Sequence, residues 1–201
     1  MAIAAIGAVF FSACGGGAGT ATPPGSSAAA ANVAPPDVAG ADEPDGAPAA
    51  AYCRKTGGLV ETRHAVYGSN GSQLLFLAGK RTFCQYTKKS DGSRIHILLS
   101  TLYTTKPTLA ALAYILKPPS GSCGGNPASC YCSLLGGSDQ FGGTSGAGGG
   151  WYKKNGVDQT LEACIFPDES SIDSWGLAYH SHNIIRGINL KKVLRYHYPG
   201  G

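Results

Sequence analysis

The pattern of apolar and polar positions divides the chain into three stretches. Residues 1–13 (MAIAAIGAVFFSA) are apolar almost throughout. From Gly15 to Gly46 the pattern disappears: Ala, Gly, Pro and Ser follow one another without period, and Asp37, Asp42, Glu43 and Asp45 are the only charges. Periodic segments then return. Leu74 to Leu77 and Lys80 to Thr87 predict strands, as do Trp151 to Lys154 and Leu161 to Phe166, with Asn70-Gly71 and Asn155-Gly156 placed as hairpin turns. Pro48 and Pro127 each precede Ala or Ser, a Tyr-Cys and a Gly-Gly, the grammar of a short helix begun by proline and closed by glycine, and Asn126 is the expected cap of the second. Thr108 to Leu116 predicts an apolar helix ended by Pro118-Pro119, Asp91-Gly92 a turn, and Ser170 or Ser171 the cap of a helix through Tyr179. Ile188 to Tyr198 reads as a strand with Leu190, Val193 and Leu194 inside. The fold class that follows is α+β.

Laid on itself at an offset near 79, the chain repeats. Ala47-Pro48-Ala49-Ala50-Ala51-Tyr52-Cys53 falls on Asn126-Pro127-Ala128-Ser129-Cys130-Tyr131-Cys132, and Gly57-Gly58 falls on Gly136-Gly137. Cys84-Gln85-Tyr86 then meets Cys164-Ile165-Phe166, and Asp91-Gly92-Ser93 meets Asp168-Glu169-Ser170. Slips of offset are what loop insertions produce. The expectation is two copies of one small module, 47–118 and 119–201, each a short helix, an antiparallel hairpin and a further helix or strand.

The first stretch, about a dozen residues, is too short to span a bilayer, which takes ~20, and reads as a signal-peptide core over 1–13. Phe11-Ser12-Ala13-Cys14 resembles a bacterial lipobox, which implies lipidation of Cys14 and, with Gly15 after it, an outer-membrane address. Residues 14–46 cannot bury enough surface to offset the entropy of ordering and are expected to form a disordered tether spanning about 30 Å. The partner expected here is a membrane, through the lipid on Cys14.

In the second copy Asn126-Pro127-Ala128-Ser129, Tyr131-Cys132, Gly136-Gly137, Cys164-Ile165-Phe166-Pro167-Asp168 and Trp175 resemble a short domain of unknown function in secreted bacterial proteins and lipoproteins whose members are often labelled hemolysins. The match covers about 126–180, and the first copy resembles a degenerate second example. Where the family has glycine after Pro-Asp this chain has Glu169, and a Gly-rich insert, Gly142 to Gly150, lengthens the approach to the hairpin. The resemblance carries no chemistry to transfer.

Seven cysteines leave six once Cys14 is set aside. Both copies keep an early and a late cysteine, so Cys53–Cys84 and Cys132–Cys164 are the expected pairs, with Cys123 and Cys130 left to pair with each other, as an oxidising compartment permits. Thiolate metal binding is disfavoured because Cys130-x-Cys132 lacks the Cys-x₂-Cys geometry. His180-x-His182 is a better metal pair if both sit on one strand face, but without a third ligand at ligand spacing they read as exposed polar histidines, and no metal or cofactor is expected. Lys55-Thr56-Gly57 and Ser90-Asp91-Gly92 occur without a Ser-x-x-Lys, no Gly-x-Ser-x-Gly exists, and the Gly-rich run leads into a Trp-Tyr strand instead of a phosphate-binding helix. The expectation is therefore a non-enzyme.

Charge changes the picture once more. Residues 52–201 hold all 16 Lys and Arg but only eight acids. Lys153, Lys154, Arg186, Lys191, Lys192 and Arg195 concentrate the excess in the C-terminal part, with His197 beside them. Such a face suits anionic envelope polymers such as lipopolysaccharide or peptidoglycan; nucleic acid is out of reach of a lipoprotein. The function expected is tethered, non-catalytic binding, with a protease-inhibitor or host-protein module as the alternative and a cytolysin or hydrolase behind it.

Overall fold

The computed structural model describes residues 46–68, 74–139, 149–156 and 158–199, all within one compact unit, Ala34–Gly201. Residues 1–13, Cys14, the tether up to Asp45, Asn70-Gly71 and residues 142–148 of the insert lie outside the described residues. The fold is α+β and, among the described residues, carries three disulfides: Cys53–Cys84 and Cys132–Cys164, the pairs that the self-alignment singles out, and Cys123–Cys130, the pair left over.

In chain order the elements are α1 (Gly46–Lys55), β1 (Leu59–Tyr67), β2 (Leu75–Thr87), β3 (Arg94–Leu98), α2 (Leu99–Tyr103), α3 (Leu109–Leu116), α4 (Pro127–Leu134), β4 (Ser138–Asp139), β5 (Gly149–Tyr152), β6 (Thr160–Leu161), β7 (Ala163–Ile165), β8 (Ser171–Asp173) and α5 (Ser174–Ser181), followed by a 3₁₀ turn, Leu190–Lys192. Helix, Gly-Gly, strand, strand, strand, helix thus runs twice, as α1-β1-β2-β3-α2 and α4-β4-β7-β8-α5, with the hairpin β5-β6 inserted in the second run.

The two helix exits are built alike. Gly57 and Gly136 take φ of +89° and +81°, where a side chain is strained. The next amides turn back, Gly58 N donating to Cys53 O at 2.8 Å and Gly137 N to Cys132 O at 3.0 Å. Both disulfides then tie the helix to a strand, closing sequence separations of 31 and 32 residues; loops of that length are worth about 3 kcal/mol each. Asn126 caps α4, its side-chain oxygen accepting from Ala128 N at 2.9 Å, and Thr108 caps α3. Glu169 takes φ of +61°, the same sign as Gly92 at the corresponding turn of the first run.

The eight described strands form one sheet in the order β4-β7-β8-β3-β2-β1-β5-β6. At its centre β3 and β8 pair antiparallel through Ile97 and Ile172. Each isoleucine lies opposite the disulfide cysteine of its own run, so a row Val60, Cys84, Ile97, Ile172, Cys164, Asp139 crosses six strands with matching halves. The segments 47–118 and 119–201 therefore share a sheet, and β5 from the second pairs with β1 of the first. They share a core too: Cys84, Tyr86, Ile95, Ile97, Ile172 and Cys164 on one sheet face pack against Ala49, Leu102, Tyr114, Tyr131, Leu177 and Leu190.

The opposite face closes on itself. β6 ends the sheet and β7 is next to its other end, yet only Glu162 separates them in sequence. The sheet must curl until its ends meet, and it encloses a second core of Phe83, Leu98, Trp151, Leu161 and Ala163.

Several elements differ from the sequence pattern. The segment Ile188 to Tyr198 is not a strand: Leu190, Val193 and Leu194 are buried at spacings of three and four, a helical pattern, and the 3₁₀ turn capped by Asn189 meets it. Asp173, not Ser170 or Ser171, caps α5, its carboxylate accepting from Gly176 N at 2.7 Å, because Ser171 is committed to β8. Leu74 to Leu77 and Lys80 to Thr87 belong to one continuous strand from Leu75, and Leu161 to Phe166 is split at Glu162 between two strands.

Candidate functional site

Inside the curled sheet lies a buried set of polar side chains. Arg63 on β1 has no solvent exposure and Glu61, His96 and Asp173 have 4% or less. Alternation along a strand puts Glu61 and Arg63 on one face, and the register brings His96 of β3 beside them. Arg63 donates to Glu61 Oε2 through Nε at 3.1 Å and Nη2 at 2.7 Å, and to the carbonyls of Trp151 at 3.2 Å and Asp158 at 2.7 Å. His96 Nε2 lies 3.3 Å from Arg63 Nη2 and 3.2 Å from Gln85 Oε1, while its Nδ1 lies 3.3 Å from Asp173 Oδ2. Lys153 reaches in from the rim to Glu61 Oε1 at 2.7 Å. Burial pushes the Glu61 carboxyl up, but hydrogen bonds from Lys153 and Arg63 outweigh it and hold the group below its ordinary range. The groups satisfy one another, His96 and Asp173 join the two sequence halves, and the arrangement is a structural knot across the seam.

Among the described residues, two hollows open to solvent can take a ligand. Between α4, α5 and the linker before α4 is a solvent-facing cleft of about 390 Å³, walled by Tyr131, Trp175, Tyr179, Pro127 and Cys123, with Ser120, Ser181 and His182 supplying polar atoms. Trp175 and Tyr179 are tilted by 34° with centroids 5.9 Å apart. Tyr131 Oη donates to Pro118 O at 2.7 Å and the Cys123–Cys130 disulfide fastens the linker to α4, so the walls are fixed. The second surface is the C-terminal tail, where Lys191, Tyr196, His197, Tyr198 and Ile115 surround a hollow of about 160 Å³.

The six basic residues singled out in the sequence fall on different parts of the fold. Lys153 pairs with Glu61 on the curled face, and Lys154 follows in the exposed β5-β6 turn. The other four belong to the tail, whose Leu190, Val193 and Leu194 are packed into the core on the opposite sheet face. There Arg195 lies 4.1 Å from the Tyr103 ring centroid and Arg186 5.2 Å from that of Tyr179. Lys191 and Lys192 are exposed. Among the described residues, none of these four tail cations is within ion-pair distance of a carboxylate.

His180 and His182 sit on α5 and its C-cap, not on a strand, and residues two apart on a helix face different ways. His182 is exposed, but His180 is 4% exposed and stacked on Tyr114 at 3.8 Å. Burial, with Lys117 and Lys191 nearby, pushes the His180 imidazole down to about 4. The unfolded chain takes up this proton below its ordinary value near 6.5 and the folded protein does not until about 4, so stability is full above that window and falls through it as pH drops. The loss is on the order of 3 kcal/mol by the bottom of the window. Neither ring nitrogen is hydrogen-bonded, so phenylalanine can take its place on Tyr114. His180→Phe is expected to flatten the fall in urea midpoint across this window relative to the parent; parallel curves would rule the effect out.

The sequence pattern does not announce the network of Glu61, Arg63, His96 and Asp173. Its only signal is Glu61-x-Arg63 at strand alternation, and that needs β1 to be recognised. No protein-family model, curated protein or solved structure matches the chain.

Proposed function

We propose that the chain is a lipid-anchored protein of the bacterial envelope that binds anionic envelope polymers without transforming them. In this reading Cys14 carries the lipid, residues 14–46 hold the folded unit off the outer membrane, and the folded unit is a tandem of hemolysin-labelled modules. The repeated order of helix, Gly-Gly, disulfide and strands supports the tandem. The observation that carries the binding reading is the tail: Lys191 and Lys192 are exposed beside a hollow lined with Tyr196, His197 and Tyr198, with no carboxylate of the described residues in ion-pair reach. A sugar polymer bearing phosphate or carboxylate meets cations for its charge and aromatic rings for its sugar faces.

The test is co-sedimentation of the full chain with lipopolysaccharide or peptidoglycan. Each lysine near an anionic surface is worth about 1 kcal/mol, so Lys191→Gln with Lys192→Gln is expected to weaken binding roughly 30-fold. Added salt should weaken the parent in the same direction. Binding that ignores both the variant and salt, or no binding at low salt, overturns the reading.

A further inference from the structure

We propose that the cleft between α4 and α5 is a second binding site, specific for a neutral pyranose unit. It is independent of the tail lysines. No Asp, Glu, Lys or Arg lines the cleft, so nothing there offsets the desolvation of a charged ligand. Its walls are the rings of Tyr131, Trp175 and Tyr179 with Pro127 and the Cys123 sulfur, a surface for packing against C–H groups. Its polar atoms come from short side chains, Ser120, Ser181 and His182. The Ser120 Oγ to His182 Nε2 contact is long, 3.5 Å, and leaves both groups able to serve a ligand hydroxyl.

A pyranose has this two-sided character: one face of C–H bonds and a rim of hydroxyls. An acyl chain would leave the hydroxyl and imidazole groups unanswered, and a charged sugar would find no counter-ion among the lining side chains, the nearby Arg186 guanidinium lying over the Tyr179 ring. The size fits as well, since ligand clefts run from about 300 to 1,000 Å³. Preorganisation favours affinity: the disulfide, the Tyr131 to Pro118 hydrogen bond and the Asn126 cap hold the walls before any ligand arrives. The sequence halves differ here. In the first, the Tyr52 hydroxyl donates to Val193 O of the tail at 2.9 Å, and the Arg195 guanidinium covers the Tyr103 ring. The tail therefore already covers the aromatic pair of the first half, and the cleft stays open in the second.

The experiment titrates the full chain, in detergent micelles, with the neutral trimer of N-acetylglucosamine, followed by tryptophan fluorescence and calorimetry. The expected result is saturable binding that is insensitive to salt and unchanged in Lys191→Gln/Lys192→Gln, which separates this site from the tail. Trp175→Ala is expected to weaken it about tenfold or more. Because that variant removes a half-buried ring, His182→Ala at the exposed rim serves as the second probe, expected to weaken binding several-fold while leaving the thermal midpoint in place. No saturation by the trimer, equal affinity in both variants, or displacement by a fatty acid but not by sugars overturns the proposal.

Discussion

Gly58→Ala and Gly137→Ala are each expected to cost about 3 kcal/mol or more. A Cβ on Gly58 would overlap Cys84 Sγ and stand 2.8 Å from Cys53 Sγ; on Gly137 it would overlap Cys164 Sγ and stand 3.0 Å from Cys132 Sγ. Neither sulfur can yield, because each disulfide is pinned at both ends, to a helix and to a strand of the sheet. The preceding glycines behave differently. A Cβ on Gly57 or Gly136 meets nothing within 4 Å, so alanine there carries only the backbone strain of positive φ, about 1 kcal/mol. Urea unfolding of the disulfide-intact variants checks the contrast. Equal costs at both positions of a Gly-Gly pair would mean that the second glycine is not there to seat the sulfurs.

Arg63→Met is expected to cost about 3–5 kcal/mol. The guanidinium has no exposure and donates to Glu61 and to the carbonyls of Trp151 and Asp158; methionine fills much of the volume but leaves a buried carboxylate and two carbonyls short of donors. Glu61 keeps Lys153, so the double variant Arg63→Met/Glu61→Gln, which removes the stranded charge, should recover part of the loss. Denaturant midpoints of the two variants decide it. A single variant within about 1 kcal/mol of the parent would show that the pair contributes little beyond its own desolvation.

What the sequence makes legible follows from local rules. Asn126 before Pro127, the Gly-Gly pairs after Tyr-Cys, and Thr108 before an apolar run act over one helical turn, and each appears where its chemistry places it. The cysteine pairs were readable because repetition removes the ambiguity that six thiols otherwise carry. β1 and β3 were not. Leu59-Val60-Glu61-Thr62-Arg63-His64 alternates, but its inward positions are Glu61 and Arg63, so a search for apolar alternation passes over it. Arg94-Ile95-His96-Ile97-Leu98 is buried on both faces, with His96 turned into the curled sheet. Both strands depend on ion pairs made to residues far along the chain, which no local pattern can announce. The cleft was half visible: Trp175 belonged to the motif, but its partners Tyr131, Tyr179 and His182 meet only after α4 and α5 pack.

The two sequence halves fold as one body, joined by the Ile97–Ile172 pairing and the His96–Asp173 contact. Peptide-resolved hydrogen exchange of the disulfide-intact protein, at increasing denaturant, tests it directly. Peptides covering β2 and β3 and peptides covering β7 and β8 are predicted to merge into one opening curve with a common denaturant dependence. Two separate curves, one for each half, would show that the halves open independently and are not one body.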